Sequence, residues 1–187
     1  SWVLSLNTPG VSDTATLTKT VSGNVGGGAS IEIVLPEVAS AAHSWSMAAA
    51  AGDRVVEFVE PSTGAGVAST TWDYDSRTLV VVTDSSTSIS QGSQVVLRIR
   101  DLTTPSSVVD AAYTVTVTSY STSTPDSTKI IDGPTSISGA AVPSGALTNG
   151  VWDMETDRPG ELSRLNMTFK TTGELKAGSR IVLSLPY

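Results

Sequence analysis

The chain contains no cysteine. That excludes a disulfide framework, a thiolate metal site and a cysteine nucleophile. It does not exclude secretion, because a large β-sandwich stands without disulfides. Histidine occurs once, at His43. A single histidine cannot build a multi-His zinc site, and no G-x-S-x-G elbow accompanies it to suggest a Ser–His–Asp triad. His43 therefore reads as an ordinary side chain. No catalytic and no cofactor-binding residues are expected, and the chain is not expected to be an enzyme. No apolar run approaches the roughly 20 residues that cross a bilayer as a helix, so membrane insertion is not expected. No initiator Met or signal peptide precedes Ser1-Trp2-Val3, and the sequence reads as a mature or excised piece of something longer.

Charge is also scarce. Charged residues make up 16% of the 187, with 18 acidic against 11 basic side chains and a net charge of −7. Phosphate backbones are repelled by that balance, and no Lys/Arg cluster overcomes it, so nucleic acid is not an expected partner. An acidic surface keeps a protein soluble and attracts divalent cations. Aromatics are only 5%, while 39% of residues are hydrophobic. A core is affordable, then, but it has to be built from Val, Ile and Leu. The β-branched Val and Thr that dominate the composition are stiff at χ1 and suit strands.

The strongest internal signal is a repeat. Residues 1–37 align without a gap on residues 151–187. Trp2 falls on Trp152, Pro9-Gly10 on Pro159-Gly160, Thr18 on Thr168, Gly23 on Gly173, Gly28 on Gly178, Ile31 on Ile181 and Leu35-Pro36 on Leu185-Pro186. A spacing this long exceeds the usual solenoid period of about 20–50 residues. It implies beads on a string, each bead a domain. The expected division is a complete β-sandwich repeat over residues 1–150, with a linker-like stretch at about 119–142, and the first β-hairpin of the next repeat over residues 151–187. A single domain with an internal pseudo-repeat is the second reading.

Alternation places the strands. Residues 14–21 (TATLTKTV) set Ala15, Leu17 and Val21 inward against threonines, and residues 31–35 put Ile31, Ile33 and Leu35 on one face. The glycine-rich residues 23–28 are expected to join these two as a hairpin. The second copy repeats the pattern with Leu165, Met167 and Phe169, then Ile181, Leu183 and Leu185. Residues 38–51 have helical leanings through their alanines, with a short helix or a loop bridging the two sheets as the two readings. Residues 54–60, 94–100 and 112–119 read as strands, and residues 68–72 and 78–83 as a hairpin around Asp73-Tyr74-Asp75-Ser76-Arg77. Residues 119–129 (SYSTSTPDSTK) read as a polar loop or linker. The expected class is all-β, an antiparallel sandwich of the immunoglobulin-like sort.

The order Pro9-Gly10, Thr-alternating strand, glycine turn, residues 31–36, Thr71-Trp72-Asp73, Ser76-Arg77-Thr78-Leu79, residues 89–93 (ISQGS), residues 102–107 (LTTPSS) and Ile131-Asp132-Gly133-Pro134 resembles the tandem Ig-like β-sandwich repeats of very large secreted surface and filament proteins of microbial cells. The resemblance covers nearly the whole chain and is one of style. It implies a structural or assembly module of a large extracellular or cell-surface protein, in a filament, wall or adhesin, with neighbouring repeats or like subunits as partners. The alternative is an adhesin module that recognises a glycan or a surface protein.

Individual residues add weaker expectations. Asp73, Asp75 and Asp84 are calcium candidates, because calcium takes six to eight oxygens; no D-x-D-x-D-G loop occurs, and Asp in turns ordinarily serves an Asx turn. No other cofactor is expected. Trp72 and Tyr74 form a candidate glycan-stacking pair, with cross-strand packing as the competing role. Asn166-Met167-Thr168 is an N-glycosylation sequon on an outward strand phase, relevant in a secreting eukaryote. The 151–187 hairpin leaves one face bare, which isolated hairpins do not tolerate well in water. Further chain, packing back on the first unit, or donation to a neighbouring molecule would each resolve that.

Overall fold

The computed structural model describes residues 1–38, 44–47, 56–109, 113–156, 158, 160–173, 175 and 177–184. Among these there is no helix; the described chain is all-β and its sheets are antiparallel. Sheet one runs β1 (Trp2–Leu4), β2 (Ser12–Thr20), β10 (Gln94–Thr103) and β5 (Ser46–Met47), with β6 (Val56–Glu60) also on β10. Sheet two runs β12 (Ile130–Ser138), β11 (Thr114–Tyr120), β4 (Ser30–Val34), β8 (Thr78–Thr83) and β7 (Val67–Asp73). Two small ladders stand apart, β3 (Val25–Gly26) with β9 (Ser88–Ile89), and β13 (Leu147–Met154) with β14 (Leu165–Thr171).

The two large sheets lay their inner faces on one core, in a sandwich-like arrangement. The alternation seen in the sequence puts it there, since successive side chains of a strand face opposite ways. Ala15 and Leu17 of β2 and Val95, Leu97 and Ile99 of β10 meet Ile31 and Ile33 of β4, Leu79 and Val81 of β8, and Val115 and Val117 of β11, all buried. At one end the core turns aromatic. Trp2 and Trp72 share a crevice with Leu35, Met47 and Leu102, and Trp45 tilts against Tyr113 at 6.1 Å between ring centres.

Three expectations are corrected. Residues 14–21 and 31–35 do not form a hairpin: β2 pairs with β1 and β10, whereas β4 pairs with β11 and β8. Both faces the sequence showed are inward, but they belong to opposite sheets, and the glycine-rich link carries the chain across the core through the β3–β9 ladder. The linker-like stretch at 119–142 contains β12, which pairs with β11 along most of its length. Most of the alanine-rich residues 38–51, His43 among them, lie outside the described residues; within the stretch Ser46 and Met47 are strand. In the tail, the partner of residues 165–171 is residues 147–154, whereas residues 181–184 belong to no strand; Leu185 lies outside the described residues.

Polar groups pin the sandwich at both ends of β2. Its inward phase reads Asp13, Ala15, Leu17, Lys19. The Asp13 carboxylate is buried and accepts the Leu6 amide at 3.0 Å, the Thr14 amide at 2.6 Å and the Ser5 hydroxyl. At the other end Lys19 Nζ reaches across to Asp132 Oδ2 of β12 at 2.8 Å, with the two side chains 8% and 9% exposed. The Ser22 hydroxyl donates to the other carboxylate oxygen. Burial pushes the Asp132 carboxyl up, but Lys19 and Ser22 together outweigh it and hold the group below its ordinary value.

Removing one partner of a buried pair strands the other. Asp132→Asn is expected to destabilise the fold by about 3–5 kcal/mol, while the paired exchange Lys19→Met with Asp132→Leu recovers most of that loss; chemical denaturation measures both. Because the folded-state pKa of Asp132 is lowered, its contribution is complete above the ordinary carboxylate value and disappears as pH falls through the lowered one. The stability gap between the native chain and Asp132→Asn is therefore expected to begin narrowing below about pH 4 and to close only below the lowered folded-state value.

Candidate assembly surface

The tail repeats the head in three dimensions. In the head, Trp2, Val3 and Leu4 pair with Leu17, Thr16 and Ala15. In the tail, Trp152, Asp153 and Met154 pair with Met167, Asn166 and Leu165. Each tail pair is the head pair moved on by 150 residues. The hydrogen bonds flanking these pairs repeat as well. Thr18 N donates to Ser1 O, and Val151 faces Thr168; Ser5 N donates to Thr14 O at 3.0 Å, and Glu155 N to Arg164 O at 3.1 Å. The left-handed glycines recur too, Gly10 with Gly160 and Gly28 with Gly178.

What differs is the cover. Trp2 is 2% exposed and Trp152 46%, Leu4 3% and Met154 43%. In the head, β2's second edge is held by β10, and sheet two lies across its inner face. In the tail, β14 pairs only with β13 among the described residues. Ile181 and Leu183, the counterparts of Ile31 and Ile33, border a groove with Trp152, Met167 and Phe169 but remain about half exposed. The tail also approaches the β1–β2 connection closely. A Cβ on Gly173 would stand 2.0 Å from the Pro9 carbonyl oxygen, and one on its counterpart Gly23 would stand 2.7 Å from Ile131 Cγ2 of β12. At Gly173 the neighbour is backbone and the position has to remain glycine for the two chains to meet, whereas at Gly23 it is a side-chain methyl.

The other sequence-level candidates fall elsewhere. Asp73 and Asp75 share the β7–β8 turn, but Asp84 follows the far end of β8, roughly 20 Å away at the ordinary strand rise, so the three do not converge. Asp73 Oδ1 accepts the amides of Ser76 and Asp75; these bonds hold its carboxyl below the ordinary value. Asp84 accepts the hydroxyls of Ser86 and Thr87, each at 2.9 Å, and is lowered by them. Both carboxylates are thus engaged in shaping turns. No group of three His, Cys, Asp or Glu side chains placed to share a metal occurs among the described residues.

The glycan-stacking pair is corrected. Trp72 is 9% exposed and packs into the aromatic end of the core. Only Tyr74, at 55%, faces solvent, its ring edge-on to Trp72 at 6.0 Å. A buried indole offers no free face for a sugar. Asn166 is exposed on the outward phase of β14, opposite Asp153. The feature that residue-by-residue reading missed is the Lys19–Asp132 pair, whose members are too far apart in sequence to leave a local signal.

Asp84→Ala is expected to lower the melting temperature by a few degrees, because the loop after β8 loses its acceptor. Millimolar calcium or excess chelator is expected to leave the melting temperature of the native chain unchanged, and differential scanning calorimetry reads both. Comparison with protein-family models, with curated proteins and with solved structures finds no match to this chain.

Proposed function

We propose that this chain is a structural and assembly module of a protein built from tandem β-sandwich units, standing outside the cell or on its surface. The observation that carries the reading is the recurrence of the β1–β2 pairing register in β13–β14, 150 residues on. The register of a hairpin is set by its turn and its hydrophobic pattern, and both recur here. Its repetition together with the turn glycines supports a second copy of the same unit opening at the tail rather than a decorative hairpin on a single domain. The extracellular placement has compositional support only, from a Ser/Thr-rich and sparsely charged chain with net charge −7.

What supports an immunoglobulin-like reading of the complete unit is its strand order. β1-β2-β10 faces β12-β11-β4, with the strand-two-to-strand-ten and strand-four-to-strand-eleven pairings that an A-B-E sheet over a G-F-C sheet requires. The β7–β8 hairpin, with β8 inside and β7 at the edge, extends the second sheet beyond that plan.

Separate units predict separate energetics. Trp2→Ala is expected to lower the stability of the main unfolding transition by about 3–5 kcal/mol, the range for deleting a buried aromatic side chain. Trp152→Ala, at the equivalent position, is expected to leave that transition within about 0.5 kcal/mol of the native chain. Urea titrations followed by far-UV circular dichroism make the comparison. Equal losses in the two variants would mean one cooperative domain and would remove the tandem reading.

A further inference from the structure

The bare side of the tail pair has a definite shape, because its twin in the head is covered. The inner positions of the head pair are Trp2, Leu4, Ala15, Leu17 and Lys19; those of the tail are Trp152, Met154, Leu165, Met167 and Phe169. Along the second edge of β2 runs β10, with Val95 opposite Lys19, Leu97 opposite Leu17 and Ile99 opposite Ala15. The same strand moved to β14 would set Val95 beside Phe169, Leu97 beside Met167 and Ile99 beside Leu165. On the outward face it would set Val96 beside Thr168, Arg98 beside Asn166 and Gln94 beside Lys170. Every inner pair is apolar, and no outer pair brings like charges together, which is what a stable antiparallel register asks for.

We propose that the free edge of β14 accepts an antiparallel strand with the pattern of Gln94–Thr103, a β10-type strand of the same repeat, and that the sheet closing over it is apolar opposite Phe169. The proposal rests on the tandem reading above and deepens it. The competing occupant is the first unit of a second copy, with the tail pair exchanged for that copy's β1–β2. Two inner positions exclude it. Ala15 has 0% exposure, and Leu165 in its place would bring three more carbon atoms into a filled site. Phe169 in the place of Lys19 would leave the buried Asp132 carboxylate with no cation. The tail is built like the head but cannot stand in for it, so its complement carries an apolar residue where the first unit has Asp132.

The test adds a synthetic peptide of the sequence Gln94–Thr103, blocked at both ends, to the intact chain labelled for NMR. The expected result is saturable slowing of amide exchange in residues 165–171, with no change in residues 12–20, and a blue shift of tryptophan emission that Trp152→Phe abolishes. Leu97→Lys in the peptide is expected to weaken binding at least about tenfold, since it places a charge on the inner face. Thr168→Lys in the chain, on the outward face, is expected to leave binding within about twofold. Absence of saturable protection, or equal binding by the Leu97→Lys peptide, would overturn the proposal. So would concentration-dependent dimerisation of the chain that Met167→Lys abolishes, which would make a second copy the occupant. The tandem reading itself stands or falls on the Trp2 and Trp152 comparison, which needs no peptide.

Discussion

A strand pair with one apolar face has to lay that face against something, because two strands alone bury too little surface to offset the entropy of ordering them. The rest of this molecule follows from how that demand is met at one place and left open at another. At the head, β10 closes the edge and sheet two closes the face, and a tryptophan two residues into the chain becomes core. At the tail, the same tryptophan in the same register stays half in water. A shared tryptophan position and a shared register therefore end in different burial. The difference lies in the neighbours, not in the hairpin.

Within the two-sheet body, apolar packing supplies the bulk of the cohesion while a few polar groups fix which strand lies where. Asp13 ties the β1–β2 connection by accepting two amides and a hydroxyl. Thr83 donates across to Gly26 O at 2.8 Å and anchors the crossover through β3. Lys19 and Asp132 join sheet one to the far strand of sheet two. A register slip of one residue in β2 would turn Asp13 and Lys19 outward and their apolar neighbours with them, so these groups penalise the wrong pairing more than they strengthen the right one.

Much of the sandwich was legible along the chain, and the reason is period. Residues 94–99 of β10 and 114–117 of β11 alternate, so Val95, Leu97, Ile99, Val115 and Val117 announced their inward faces, and the β7–β8 turn announced itself through Asp73 and its neighbours. The crossover was not legible. A glycine-rich link between two alternating strands looks the same whether the strands pair or stand in opposite sheets, and only the remote partners β10 and β11 distinguish the cases. β12 was hidden for a related reason: Gly133 and Pro134 break strands in general, yet an edge strand tolerates both. Trp72 read equally as surface or core, and the packing of Leu79, Ile99 and Leu102 around it decided the matter. The apolar side of the tail was visible from Leu165, Met167 and Phe169; that it mirrors a covered surface, pair by pair, required coordinates.

Tandem units of one fold face a hazard of their own making. Strands from adjacent beads resemble one another, and each can occupy its neighbour's slot during folding. Divergence at inner positions is the physical remedy, because an exchanged strand then meets either too little room or an orphaned charge. Ala15 against Leu165 and Lys19 against Phe169 are differences of that kind, the first in volume and the second in charge. They fall on the inner face, where discrimination is strongest, while the turn glycines and the tryptophan that set the common geometry are kept. The two strand pairs thus share geometry but not complementarity, and under the tandem reading proposed above each hairpin distinguishes its own sheet from the next.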